Sequence, residues 1–377
     1  MTASIDFPAL LKIGLGDTLR LRLAAGVADP LARPMRLVEV QRDHWLLHDG
    51  RQLHRARCDS ALAADLQAQD ETLAVGDWLL ARPDDAGACG TTCRITCRLP
   101  PVNQLARRVH GGGRLARGAG QRQVLVRNID TALLVMGLDG DFQPRRLERY
   151  LGLLQGAGVA AVLVLSKADT VAPDRVVQRQ AEAAALLPPR MPVLALDTRL
   201  PSTAAVLSGW LQPGRTLVLL GSSGAGKSTL ANTLLSAGGP AGDRATGAVR
   251  TDDSRGRHTT TVRSLLPLPG GACVIDTPGL RALRLDLDDA APLAEVFADV
   301  ARLAPLCRFR DCRHLQEPGC AVRHGVDAHR LANYHKLLRE GAPAGPGAQR
   351  PAPPAAAVLQ RQRRALAKAW GKRAARP

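Results

Sequence analysis

The eight residues G-S-S-G-A-G-K-S at 221–228 have the composition of a loop that wraps phosphate. Gly221, Gly224 and Gly226 free the backbone to turn its N–H groups inward, around Ser222, Ser223 and Ala225. Lys227 can then reach phosphate oxygens, and Ser228 can offer a hydroxyl to Mg²⁺ before the helix-forming T-L-A-N-T-L-L that starts at Thr229. The apolar T-L-V-L-L run immediately before Gly221 supplies the strand that such a loop needs. A loop of this kind binds a nucleoside triphosphate but does not choose the base.

Two further motifs bear on that choice. D-T-P-G at 276–279 follows the apolar C-V-I and matches a D-x-x-G pattern, with Asp276 holding Mg²⁺ through water and the Gly279 amide meeting the γ-phosphate. S-K-A-D at 166–169 ends another apolar run and resembles the guanine-reading N-K-x-D pattern. Asp169 can accept hydrogen bonds from the N1–H and amino groups of guanine, which adenine cannot supply, and a buried carboxylate left without them is costly. Lys167 can lay its aliphatic stem over the base. Ser166 stands where the pattern has Asn and can still tie the loop by a hydrogen bond. An ATPase of the ABC type is disfavoured, because no L-S-G-G-Q is present and no acidic pair follows D-T-P-G. The order of the motifs is unusual. S-K-A-D precedes the phosphate loop, so the expected sheet is circularly permuted, and the segment after D-T-P-G leads directly into the C-terminal part of the chain.

That C-terminal part contains C-R-F-R-D-C-R-H-L-Q-E-P-G-C. Three thiols and an imidazole, from Cys307, Cys312, His314 and Cys320, suit one closed, structural Zn²⁺ site. Cys58, Cys89, Cys93, Cys97 and Cys273 fit small core positions, and His324, His329 and His335 read as surface or helix residues.

The elements that must position these groups divide the 377-residue chain. Residues 1–34 carry no clear fold signal. Short strands over 35–100, among them the alternating T-C-R-I-T-C-R-L with Cys93, Ile95, Cys97 and Leu99 on one face, predict a small OB-fold barrel. Residues 101–122 read as a flexible basic linker, rich in Gly and Arg. Strand-helix alternation over 123–285 predicts a parallel α/β sheet, 286–340 a small helical zinc-binding domain, and the Pro-rich stretch 341–377 a disordered basic tail. The formal charge of +17 implies a polyanionic partner. No apolar run spans a bilayer, and no signal sequence stands at the N-terminus, so we expect a cytoplasmic monomer with nucleic acid, not membrane, as partner.

Together these residues resemble one family, the circularly permuted ribosome small subunit-dependent GTPase A proteins. The likeness rests on V-G-D-W at 75–78, Q-V-L-V-R-N-I-D at 123–130, L-E-R-Y-L at 147–151, the three nucleotide motifs, G-R-H-T-T-T at 256–261 and the cysteine cluster. It covers about residues 35–340. It implies a Mg²⁺-dependent GTP hydrolase that binds ribosomal RNA and is stimulated by the small ribosomal subunit late in its maturation. It places the switch I threonine at Thr259 or Thr260, with Thr260 expected on Mg²⁺. The position after D-T-P-G, which often carries a water-orienting Gln, is Leu280, and His258 is the expected catalytic replacement beside Lys227 and Thr260. The fifth guanine-contact motif is degraded and is expected at Leu196-Asp197, acting through backbone amides. The alternative is an RNA-binding assembly scaffold with a vestigial nucleotide site.

Overall fold

The computed structural model describes residues 5–25, 29–41, 44–83, 92–109, 121–237, 263–277 and 291–341. The N-terminal segment, which carries no clear fold signal in the sequence, contains α1 (Phe7–Leu11) and α2 (Asp17–Ala24). Asp6 caps α1 by accepting from the Ala9 N–H at 3.1 Å. Leu10, Ile13, Leu15, Leu19 and Leu23 are buried against the rest of the molecule. The helices escape a periodicity reading because they are short and their inward stripe is narrow, with Leu21 exposed between Leu19 and Leu23.

Five strands come next: β1 (Arg33–Val40), β2 (Trp45–His48), β3 (Leu53–Cys58) and, after α3 (Ser60–Ala68), β4 (Trp78–Pro83) and β5 (Thr92–Arg98). They close a ring in the order β1-β2-β3-β5-β4-β1, with only the β3–β5 pair parallel. Met35, Leu37, Leu47, Ala56, Leu79, Ala81, Cys93 and Ile95 fill the barrel. The expected alternation along β5 holds at Cys93 and Ile95 but fails at Cys97, which is exposed. A bulge causes this. Leu80 faces Cys97 and Ala81 faces Ile95, so Thr96 is the extra residue and the phase flips after it. Cys97 is therefore not a core cysteine, whereas Cys93 and Cys273 are buried, and Cys89 lies outside the described residues.

The stretch expected as a flexible linker contains β6 (Gln104–Val109), paired antiparallel with β7 (Gln121–Arg127). Leu105, Ala106, Leu125 and Val126 are buried. The arginines between them read in sequence as an unstructured basic segment, yet Arg107 lies along the ribbon and donates to Gln123 at 2.9 Å.

The remaining strands are β8 (Thr131–Gly137), β9 (Ala160–Ser166) after α4 (Pro144–Ala157), and β10 (Val193–Ala195) after α5 (Pro173–Ala184). Then come α6 (Ser202–Val206), β11 (Thr216–Leu220), α7 (Lys227–Ser236), β12 (Ser264–Pro267) and β13 (Cys273–Asp276). Their spatial order is β10-β9-β8-β11-β13-β12, parallel except for β12. Every residue of β8 is buried, as its unbroken apolar run requires when both faces are covered. Leu134 and Met136 share a core with Leu147, Leu151 and Leu154 of α4, while Leu133 and Val135 pack with Leu230 and Leu234 of α7. Beyond the sheet, α8 (Ala291–Val296), α9 (Ala298–Leu303), α10 (Ala321–Gly325) and α11 (Ala328–Gly341) form a helical end region. It is fastened to α4: Glu148, almost fully buried, accepts from Arg330 and Asn333, and Arg149 grips Glu340 with contacts of 2.7 and 3.0 Å.

The barrel docks on the end of the β6–β7 ribbon and the turn that leads into β8, through V-G-D-W and the R-N pair of 127–128. A Cβ on Gly76, whose φ is +94°, would lie 2.1 Å from the Arg127 carbonyl oxygen, so only glycine permits this approach. Asp77 then meets Arg127 at 2.9 Å, both side chains fully buried. Beside them Arg36 of β1 spreads its guanidinium over the carbonyls of Ile13 (2.7 Å), Gly14 (2.9 Å) and Asn128 (3.0 Å) and the Thr216 hydroxyl (2.8 Å). Removing one member of a buried ion pair leaves the other charge stranded, so Arg127→Met should cost about 3 kcal/mol or more. Combining it with Asp77→Leu should recover much of that loss. Urea unfolding of both variants measures this, and a single variant within about 0.5 kcal/mol of wild type would show that the pair does not clamp the interface.

Candidate nucleotide site and cysteine-histidine cluster

Five parallel strands end at one edge of the sheet, and every described nucleotide motif lies on the loops leaving it. The helices that follow the neighbouring strands β8 and β11, α4 and α7, pack on opposite faces of the sheet, and between two such strands open parallel sheets leave a crevice for ligands. The loop from β11 to α7 fills this crevice. A Cβ on Gly221 would lie 2.2 Å from the Val135 carbonyl, so the strand end can press against β8 only as glycine. Lys227, at the start of α7, curls back and donates to the carbonyls of Gly221 (3.0 Å) and Ser222 (2.6 Å). Ser223, Gly224, Ser228 and Thr229 are exposed on the loop and helix start, and Ala225 is buried beneath them.

Parallel pairing of β11 with β13 sets Asp276 opposite Leu219. This brings the Asp276 Oδ2 to 3.4 Å from the Ser228 hydroxyl. The other oxygen, Oδ1, is buried with no hydrogen-bond partner among the described residues. A buried carboxylate oxygen without a donor, beside a serine hydroxyl at the mouth of a phosphate loop, fits an oxygen-seeking divalent cation.

Ser166 ends β9 fully buried, and its hydroxyl donates to the Ala225 carbonyl at 2.6 Å. The substituted serine thus ties the base motif directly to the phosphate loop. Lys167 adopts a left-handed conformation (φ +59°), which turns the chain so that Asp169 falls in a short 3-10 turn. The loop of Leu196 and Asp197, expected as the fifth motif, lies alongside, with the Ala168 N–H donating to the Leu196 carbonyl at 3.3 Å. Thr198 is the buried residue of that loop facing Gly226, 3.5 Å from where a Cβ would stand there.

Three residues of the site carried no motif in the sequence. Asp139 pairs with Lys167, and Asp141 accepts from the Ser222 hydroxyl at 2.7 Å. Both stand in the turn after β8, where acids are ordinary loop residues until the fold is known. Arg199 reaches Asp169 at 2.7 Å. His258, Thr259, Thr260, Gly279 and Leu280 lie outside the described residues.

The cysteine-histidine cluster assembles as its spacing predicts. The donor atoms of Cys307, Cys312, His314 and Cys320 all lie within 4.8 Å of one another, and three of the four residues are buried. A tetrahedral zinc site has edges of about 3.8 Å between sulfurs and about 3.6 Å from sulfur to nitrogen. Here Cys307 Sγ stands 3.9 Å from Cys320 Sγ, and His314 Nδ1 stands 3.6 and 3.5 Å from those two sulfurs. The donor set therefore fits the ion. Burial, together with the Cys320 and Cys307 thiols, pushes the Cys312 thiol up to about 12, a cost that a bound cation reverses. Glu317 shapes the loop by accepting from the Arg313, Leu315 and Gln316 amides at 2.9, 2.8 and 3.1 Å. Partial burial works against its ionisation, but these N–H groups win and hold its carboxyl at about 2. His335 contacts the His314 carbonyl at 3.2 Å rather than the cluster itself, and His329 meets Arg145.

Comparison with known proteins places this geometry. The family profile for the RsgA GTPase matches residues 110–286. The small ribosomal subunit biogenesis GTPase RsgA of Xanthomonas axonopodis pv. citri is 42% identical over 355 residues, covering 90% of this chain and 91% of that protein. Its counterpart in Xylella fastidiosa strain M23 is 43% identical over 321 residues, covering 82% and 88%. Among solved structures, YjeQ from Thermotoga maritima superposes with a TM-score of 0.57 at 21% identity, over 82% of this chain and 99% of that one. YloQ, described as a circularly permuted GTPase, gives 0.53 at 20% identity, over 82% and 95%. With motifs in permuted order converging on one sheet edge, and relatives matched along nearly their whole length, the chain belongs to the RsgA GTPase family.

Proposed function

We propose that this protein binds GTP and hydrolyses it to GDP and phosphate during maturation of the small ribosomal subunit. The observation that carries this reading is the convergence of Lys227, Ser228, Asp276 and the Ser166–Asp169 loop at one sheet edge. In this reading Gly221 to Thr229 cradle the phosphates, and Gly279 adds an amide to the γ-phosphate. Asp169 reads the guanine edge while Lys167 covers the base. Lys227 gives up its contacts with the Gly221 and Ser222 carbonyls to hold β- and γ-oxygens. Ser228 and Asp276, joined by Thr260, would hold Mg²⁺, which when bound offsets phosphate charge. His258 orients the attacking water, the task for which the alkyl side chain of Leu280 is unsuited.

The barrel and the parallel sheet serve as OB-fold and GTPase domains in the 35–100 and 123–285 regions. Residues 286–340 serve as a zinc-binding domain closed by Cys307, Cys312, His314 and Cys320, and 341–377 as a basic tail. Contact with ribosomal RNA is supported by exposed Arg55 and Arg57 on β3 and Arg94 on β5, the last two in register. No helix among the described residues is long and apolar enough to cross a membrane.

Hydrolysis measured with and without purified small subunits is the primary test. Slow intrinsic turnover that rises at least about 10²-fold with subunits is expected, and His258→Ala should lose most of that rise while keeping GTP affinity. Lys227→Ala should weaken binding itself. A wild-type protein that binds small subunits yet never turns over GTP would leave only the scaffold reading. For the base, Asp169→Asn should shift preference from GTP towards xanthosine triphosphate, because the amide reverses one hydrogen-bond polarity. Unaltered GTP affinity in that variant would remove Asp169 from the pocket. For the metal, elemental analysis should find about one zinc per chain, lost in Cys312→Ser together with local order around α10 but without loss of nucleotide affinity. Zinc-free protein with an intact C-terminal region would sink that assignment.

A further inference from the structure

We propose that Arg199 is a specificity-determining residue of the base pocket, donating to the guanine O6 in place of the degraded fifth motif. The inference rests on the assignment of Asp169 to the guanine edge. Along that edge guanine presents an acceptor (O6), a donor (N1–H) and a second donor (the 2-amino group). A matching protein surface must offer a donor followed by two acceptors. The Arg199–Asp169 pair has this order. Arg199 Nη2 lies 2.7 Å from Asp169 Oδ2, and Oδ1 is the next atom along the carboxylate. When Oδ2 and Oδ1 accept from N1–H and the amino group, the Nη2 hydrogen that Oδ2 held turns to O6, while the second stays on Asp197 Oδ2. Arginine is well suited to this contact, since it pairs readily with guanine O6 elsewhere in nucleic-acid recognition.

The arginine is set in place before any ligand arrives. Asp197 Oδ1 accepts from both its Nε and its backbone N–H at 3.0 Å, and Asp197 Oδ2 accepts from Nη2 at 3.0 Å. Asp197 in turn belongs to the loop where the fifth motif was expected to act through backbone amides alone. Its carbonyl is held by the Thr203 hydroxyl at 3.0 Å, and the next carbonyl, Thr198, by the Thr233 hydroxyl at 2.7 Å. A donor immobilised by its neighbours loses little freedom when a base binds. Adenine would meet two mismatches at once, its 6-amino group against the guanidinium and its N1 lone pair against the carboxylate.

Competition against a fluorescent GDP analogue, using the full chain, tests this. Arg199 is 65% exposed, so Arg199→Ala should fold normally, which thermal unfolding checks. GDP should bind the variant about tenfold more weakly, in line with loss of one hydrogen bond to a charged donor. Wild type should discriminate against 6-thio-GDP, whose sulfur accepts poorly, and the variant should bind it as well as GDP. The penalty for inosine diphosphate, which lacks only the 2-amino group, should be the same in both proteins, and Arg199→Lys should restore part of the O6 discrimination. GDP binding that is unchanged or tighter in Arg199→Ala would overturn the proposal, because the arginine would then merely plug the pocket. Loss of the inosine penalty instead would also overturn it, since Arg199 would act only by orienting Asp169. Wild-type protein that fails to prefer GDP over ADP would overturn the Asp169 assignment itself, a result distinct from the other two.

Discussion

The position of β11 between β8 and β13 governs the rest of the molecule. Parallel strands release their loops at one edge, so whatever flanks β11 on either side presents its own loop to the same crevice. Neighbours in the sheet, not neighbours in the chain, bring Ser166, Lys227 and Asp276 together. This is why the motifs tolerate permutation. Cutting and rejoining the chain elsewhere leaves every strand contact in place, provided the new connections can reach. The Ser166–Ala225 hydrogen bond makes the convergence tight, because the base loop and the phosphate loop share one buried tie.

The barrel is coupled to this sheet by chemistry of a different kind. Arg36 and Arg127 are both fully buried, one answered mainly by carbonyls and the other by Asp77. Such groups add little net stability over an apolar contact, but they admit few alternative dockings, since any other arrangement strands a charge. The helical end region is fixed to α4 in the same manner through Glu148 and Arg330. Asp141, just before α4, holds Ser222 of the phosphate loop. A change in the loop of Ser222 therefore meets, within one helix, the groups that anchor the C-terminal helices.

Much of this was legible in the sequence because its signals are local. A glycine-rich loop between a strand and a helix, a carboxylate at a strand end, and three thiols with an imidazole within fourteen residues each carry their own geometry. The parallel strands read as apolar runs because both faces are covered. What stayed hidden was relational. Cys97 points outward because of one extra residue at Thr96, and no pattern announces a bulge. The strand Gln104–Val109 was masked by its arginines, which say nothing of a partner strand at Gln121–Arg127. Asp139, Asp141 and Arg199 acquire meaning only beside Lys167, Ser222 and Asp169, and Glu148 looks like any helical surface acid until Arg330 is placed against it.

The ordering of strands bears as well on how such a protein behaves in concentrated solution. An open parallel sheet offers two raw margins of unpaired amides and carbonyls, each a template for a neighbouring chain. Here one margin is β10, only three residues long, and the other is β12, whose Ser264 meets Glu39 of β1. The barrel strands form a closed ring with no margin of their own. Among the described strands of the large sheet, then, neither end offers a long bare ribbon for another copy to extend. The same docking that fixes the barrel in place blunts the side of the sheet most able to seed aggregation.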